Sequence, residues 1–103
     1  MTVFIWLDDE RDINWSRVPD NTDAFHCKTY EETVHWLTLC ITNQVKAIID
    51  FDHDLGRDKD GYDVAKWIVE SNYPHFSFKI HSMNPVGAAN IRHLLSHYGY
   101  QEL

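Results

Sequence analysis

A chain of 103 residues has material for one domain and one core, burying roughly two thirds of the surface its unfolded form exposes. Apolar residues make up 44% of it and include four tryptophans, which excludes intrinsic disorder. Nine basic residues against sixteen acidic ones give a formal charge of −7, which excludes tracking an extended nucleic-acid backbone by charge and leaves any phosphorylated ligand in need of a cation.

Cys27 and Cys40 have no metal-type pairing, and a chain of this size needs no disulfide framework, so reduced thiols are expected. Met1-Thr2-Val3 leads straight into an apolar run with no basic flank or cleavage pattern, and no stretch approaches the length of a membrane span. These features predict a cytoplasmic, soluble, single domain over residues 1–103 without a membrane partner. Nothing in the pattern specifies an oligomeric state.

In chain order, Val3 to Leu7 is a short apolar run, of the kind that forms a parallel strand covered on both faces by helices, and it ends in Asp8-Asp9-Glu10. Asp8 to Asp23, with Trp15, Pro19 and Asp20-Asn21, reads as an irregular or partly helical link long enough to be a lid. Ala24 to Lys28 is a short second strand. Thr29-Tyr30-Glu31-Glu32 has the spacing of a capping box and opens a helix to about Thr42, whose buried stripe would be Val34, Leu37 and Ile41 with Trp36 and Cys40 beside it. Val45 to Phe51 is a third strand, again ending in acid at Asp50-Phe51-Asp52-His53-Asp54. After a polar loop to Asp60, a second helix over Tyr62 to Ser71 buries Val64, Trp67 and Ile68. Phe76 to His81 alternates as a fourth strand. Asn84-Pro85 starts a last helix to about Tyr98, burying Ala88, Ile91, Leu94 and Leu95; Gly99 ends it before a short edge strand over Tyr100 to Leu103. Strand and helix alternate, which predicts βαβ units and a mostly parallel sheet.

Ligands of such sheets bind beyond the carboxyl ends of the strands. Asp8 and Asp9 after one strand and Asp52 and Asp54 after another would converge there if those strands are neighbours, and like charges that close call for a cation. Magnesium suits them, since it takes carboxylates while keeping waters for a phosphate to displace. As single residues such acids are more often solvated caps; two pairs on two apolar strands weigh against that. His53 and His81 occupy equivalent strand-end positions, and imidazoles there could carry protons, an effect of typically ~10²–10⁴-fold in rate. Ser82-Met83-Asn84-Pro85-Val86-Gly87 offers a hydroxyl, an amide and free N–H groups at a helix start, which suits an anion or simple capping by Asn84. Asp50-Phe51-Asp52 resembles the nucleophile motif of haloacid-dehalogenase-like phosphatases, but that motif follows the first strand and has Thr or Val where Asp54 stands. Asp58-Lys59-Asp60-Gly61 is no calcium loop, because Trp67 stands where its closing acid belongs.

The strings Trp6-Leu7-Asp8-Asp9-Glu10-Arg11, Asp52-His53-Asp54-Leu55-Gly56, Asp60-Gly61-Tyr62-Asp63 and His81-Ser82-Met83-Asn84-Pro85-Val86-Gly87 together resemble the cyclic-phosphate processing receiver-like family, over nearly the whole chain. The resemblance implies a small α/β receiver-like (flavodoxin-like) fold, a mostly parallel sheet flanked by helices and truncated at the C-terminus: the Lys that follows a receiver's fifth strand has no counterpart before Leu103, and no fifth helix fits. It maps Asp8 and Asp9 onto the receiver's acidic metal pair, Asp52 onto its phosphoacceptor and Ser82 onto its switch residue; His53 and His81 are additions. The activity implied is a metal-assisted phosphoesterase acting on a small phosphorylated ligand, the cyclic phosphate of a nucleotide, an RNA end or an ADP-ribose derivative. Asp8, Asp9 and Asp52, with Asp54 beside them, would hold magnesium; His53 and His81 would share the proton work; Ser82, Asn84, the N–H groups near Gly87 and Arg11 would hold phosphate oxygens. Asp52 stays open between metal ligand and covalent nucleophile. The competing expectation is a non-enzymatic receiver-like switch or a cyclic-nucleotide-binding module.

Overall fold

A computed structural model describes residues 1–103. Five strands, β1 (Thr2–Leu7), β2 (Asp23–Cys27), β3 (Lys46–Phe51), β4 (Phe76–Ile80) and β5 (Gln101–Glu102), make one sheet in the order β2-β1-β3-β4-β5. Every pair is parallel, so the sheet is wholly rather than mostly parallel. Three helices connect them, α1 (Tyr30–Thr42), α2 (Gly61–Ser71) and α3 (Pro85–His97), with one 3-10 turn at Trp15–Arg17. This is the flavodoxin-like strand order, whose switch point falls between β1 and β3.

Alternation along each strand splits the apolar side chains between two faces. Val3, Ile5 and Leu7 of β1, Ala47, Ile49 and Phe51 of β3, and Phe76 and Phe78 of β4 form one core with Leu37 of α1, Val64, Ala65 and Ile68 of α2, and Ile91 and Leu95 of α3. Phe4, Trp6 and Ile48 point the other way and pack with Ile13, Val18 and Ala24. The expectation of helices on both faces is therefore corrected. All three helices lie on one face, and residues 8–22 cover the other. Ile13 and Val18 seat the middle of this segment as a strap on the sheet, while Asp8 to Arg11 at its start lie along the crevice beyond the strand ends.

Side chains satisfy the helix starts. Thr29 caps α1 by accepting from the Glu32 N–H (3.1 Å), Asp60 and Asp63 form a reciprocal capping box on α2, and Asn84 caps α3 by accepting from the Gly87 N–H (2.9 Å), with Pro85 in the first turn. The buried stripe of α1 is rotated from the expected one: Thr33, Leu37 and Cys40 are buried, while Val34 and Ile41 lie at its flanks. Thr33 tolerates burial because its hydroxyl donates to the Thr29 carbonyl at 2.8 Å. No helix is long and apolar enough to cross a membrane.

Candidate functional site

The register of β1 against β3 sets Leu7 beside Phe51, and the ladder runs one residue further, with the Asp52 N–H donating to the Leu7 carbonyl at 2.9 Å. Asp8 and Asp52 therefore leave the sheet side by side at the switch point. From β4, the His81 N–H donates to the Phe51 carbonyl at 2.9 Å and brings the third strand end alongside. A crevice of about 620 Å³ opens there, lined by Asp8 to Arg11, Asp52, Asp54, Gly56 and Met83 to Pro85. One oxygen each from Asp8, Asp9 and Asp52 lies within 4.8 Å of the others, within reach of one cation. Gly56 lets the loop after β3 close on this trio. Its φ is +64°, and a Cβ there would stand 2.9 Å from Asp9 Oδ2.

The three acids are not equivalent. Asp8 is fully buried, and burial alone would raise its carboxyl. The backbone N–H groups of Arg11 and Glu10, then His81 and the Arg11 charge, outweigh burial and hold it below the ordinary value. Its Oδ1 accepts from both N–H groups at 2.8 Å, and its Oδ2 from Arg11 Nε at 2.9 Å and His81 Nε2 at 3.0 Å. Asp52 goes the other way: burial first, and then the charge of Asp8, push its carboxyl up against the opposing pull of His81 and Arg11. Asp8 is thus an anchored negative charge, and Asp9 and Asp52 are the carboxylates with lone pairs to spare. A set of hard oxygen donors in which two would bind directly and the third would add charge fits magnesium, which commonly takes one or two carboxylates and keeps its waters.

The remaining expected site residues divide. Arg11 does line the crevice; its half-exposed guanidinium bridges Asp8 and reaches to 3.9 Å from Asp52 Oδ1. Asp54 lines the crevice too but stands outside the converging trio. Its Oδ1 lies 2.9 Å from His53 Nδ1, and that bond, more than any other influence, holds the Asp54 carboxyl below its ordinary value. His53 itself is behind the crevice wall, with Nε2 3.4 Å from Asp60 Oδ2 and its ring under the start of α3. Only glycine fits at 87, since a Cβ would overlap that ring. The Ser82 hydroxyl accepts from the Asn84 N–H at 3.1 Å and keeps its own O–H free to donate, whereas the Gly87 N–H is used on Asn84 Oδ1; neither residue lines the crevice. Asn84 keeps its Nδ2 on the crevice side, 3.4 Å from Asp54 Oδ2.

His81 is the largest departure. Its side chain is 6% exposed, with Nε2 on Asp8 and Nδ1 2.8 Å from Asp50 Oδ1, so it has no free nitrogen to trade a proton with a crevice ligand. Asp50, fully buried, also takes a forked pair of bonds from Arg17 (2.7 and 3.2 Å). Sequence reasoning assigned neither Asp50 nor Arg17 to the site. The available signal was a carboxylate inside the apolar run Ala47-Ile48-Ile49-Asp50-Phe51, where only a paired charge is tolerated.

Comparison with known proteins bears on fold and family. The profile of the family described as cyclic-phosphate processing receiver domain matches residues 3–97. Among solved structures, the signal receiver domain assigned to a Luxo repressor protein from Vibrio parahaemolyticus is similar, with a TM-score of 0.63 and 19% identity over 97% of this chain and 74% of that one. That likeness speaks for the fold. No curated protein gives a sequence match.

Proposed function

Because this chain belongs to the family of cyclic-phosphate processing receiver domains, we propose that it is a metal-assisted phosphoesterase that opens the cyclic phosphate of a small ligand such as a nucleotide, an RNA end or an ADP-ribose derivative. The observation that carries this reading is the convergence of Asp8, Asp9 and Asp52 in a crevice with room for far more than a phosphate. Asp9 and Asp52 would hold the ion, with Asp8 adding charge. Bound there, magnesium would neutralise the acids and polarise the phosphoryl oxygens. Arg11, on the crevice wall, is placed to take a non-bridging oxygen, and the Asn84 amide a second.

Asp54 is the crevice-wall group to which this reading gives the proton transfer. Asp54, kept ionised by His53, orients the attacking water and takes its proton as the new P–O bond forms. The ring P–O bond breaks, and the departing alkoxide takes up, through water at the crevice mouth, the proton that Asp54 received, which leaves a phosphomonoester and a free hydroxyl and restores the carboxylate. His81 serves by holding Asp8.

The test is phosphorus NMR of the purified chain with magnesium and a panel of cyclic phosphates, beside Asp52→Asn and Asp54→Asn. Conversion that stops on chelation and in both variants supports the reading. Binding without turnover across the panel would instead favour the binding module, and stable phosphorylation of Asp52 by a small phosphodonor would favour the switch.

A further inference from the structure

Behind the crevice, a chain of charged groups crosses the sheet face that the strap covers. Arg17 Nε and Nη2 donate to Asp50 at 2.7 and 3.2 Å, Asp50 Oδ1 lies 2.8 Å from His81 Nδ1, and His81 Nε2 lies 3.0 Å from Asp8 Oδ2. A carboxylate faces each ring nitrogen, so the imidazole is held from both sides. Trp6 lies flat on that ring, centroids 3.8 Å apart and planes 4° from parallel, so the ring cannot turn without unstacking. Arg17 is itself held: its Nη2 donates to the Ile80 carbonyl (3.2 Å), and Lys79 Nζ donates to the Arg17 carbonyl (2.9 Å). Neither Arg17 nor Asp50 lines the crevice.

A buried carboxylate is a costly way to fill the space beside Trp6, because an apolar residue of similar volume would pack there with no desolvation penalty. What the charge supplies, and packing cannot, is an orientation. Asp50 fixes the imidazole from one side so that its other nitrogen meets Asp8, and Arg17 balances the second buried acid so that His81 is left to serve the first. We propose that Arg17 and Asp50 are positioning residues of the crevice, acting through His81 to set the carboxylate of Asp8 beside Asp9 and Asp52. The consequence for a bound cation rests on the reading given under Proposed function; the chain of contacts does not.

Two readouts on the full chain separate these layers. Mn²⁺ binding is followed by electron paramagnetic resonance, and the His81 ring N–H signals by ¹⁵N NMR, for Arg17→Met, Asp50→Asn and the double variant. Each single variant is expected to weaken Mn²⁺ binding by up to about 10-fold, the low end of the range for losing a partner behind a metal ligand, because Asp8 contributes charge and not a direct bond. Each should also shift or broaden the Nε2–H signal that faces Asp8. The double variant should lose no more than the worse single one, and Arg17→Lys should recover part of the loss. Native Mn²⁺ affinity with an unmoved ring signal in either folded single variant overturns the proposal. Were the native chain to bind no Mn²⁺, a ring signal that still responds to Arg17→Met would support the positioning role while the cation site failed; an unmoved one would sink both.

Discussion

Asp50, in β3, and Asp52, just past its end, stand two residues apart, yet one carboxyl is pushed down and the other up. For Asp50, burial is outweighed by the bonds from His81 and Arg17. A folded-state value below the unfolded one means stability that is present above the ordinary carboxyl value of 3.8 and is lost as pH falls through the folded value. Asp8 adds to the same acid limb. Thermal melts should therefore hold steady above about pH 5 and drop below it, with a shallower drop in Asp50→Asn. Asp52 has the opposite sign. Its charge costs stability above its raised folded value, and that cost disappears as the group is protonated. Asp52→Asn should accordingly melt several degrees higher than the native chain in metal-free buffer at neutral pH, yet gain nothing from added magnesium; an unchanged or lower Tm would mean that the acids do not strain one another. The acids at the strand ends were legible because charge after an apolar run is conspicuous. The commitment of His81 was not, since an imidazole between two buried carboxylates and one facing a ligand leave the same letters in the sequence.

The strap and the start of α3 are the elements that shape the site. Arg17 pins the strap to a fully buried acid while remaining one-third exposed itself. Arg17→Met should cost about 3 kcal/mol in urea unfolding, the low end for breaking a buried pair. Hydrogen exchange in residues 8–22 should quicken with it; a loss of less than ~0.5 kcal/mol would make the pair a surface decoration. At α3, Asn84→Ala removes the cap and should cost about 1 kcal/mol, measured the same way. The strand and helix spans were readable to within a residue or two, because alternation, capping residues and Asn-Pro punctuate them. The missing second helical layer was not readable. Ile13 and Val18 have no period that marks a strap, and the apolar runs of β1 and β3 need covering on both faces whether a helix or a loop does it.

At the scale of the whole molecule, the net charge of −7 and the acid-lined crevice set a single condition on function. A phosphate approaching this surface is repelled until a cation has bound, so cation and ligand should bind with positive coupling, each tightening the other. The parallel 2-1-3-4-5 sheet brings the acids of β1 and β3 together at its switch point; strand–helix alternation predicted the parallel sheet but left open whether those two strands are neighbours. What the strand order could not convey was which side chains turn into the crevice and which turn beneath the strap. The most direct measurement of the central claim is phosphorus NMR of the chain with a cyclic phosphate panel and magnesium. We predict conversion of at least one member to a phosphomonoester, abolished by chelation and by Asp52→Asn, and an unchanged panel in the presence of bound magnesium would contradict the assignment of this crevice as a phosphoesterase site.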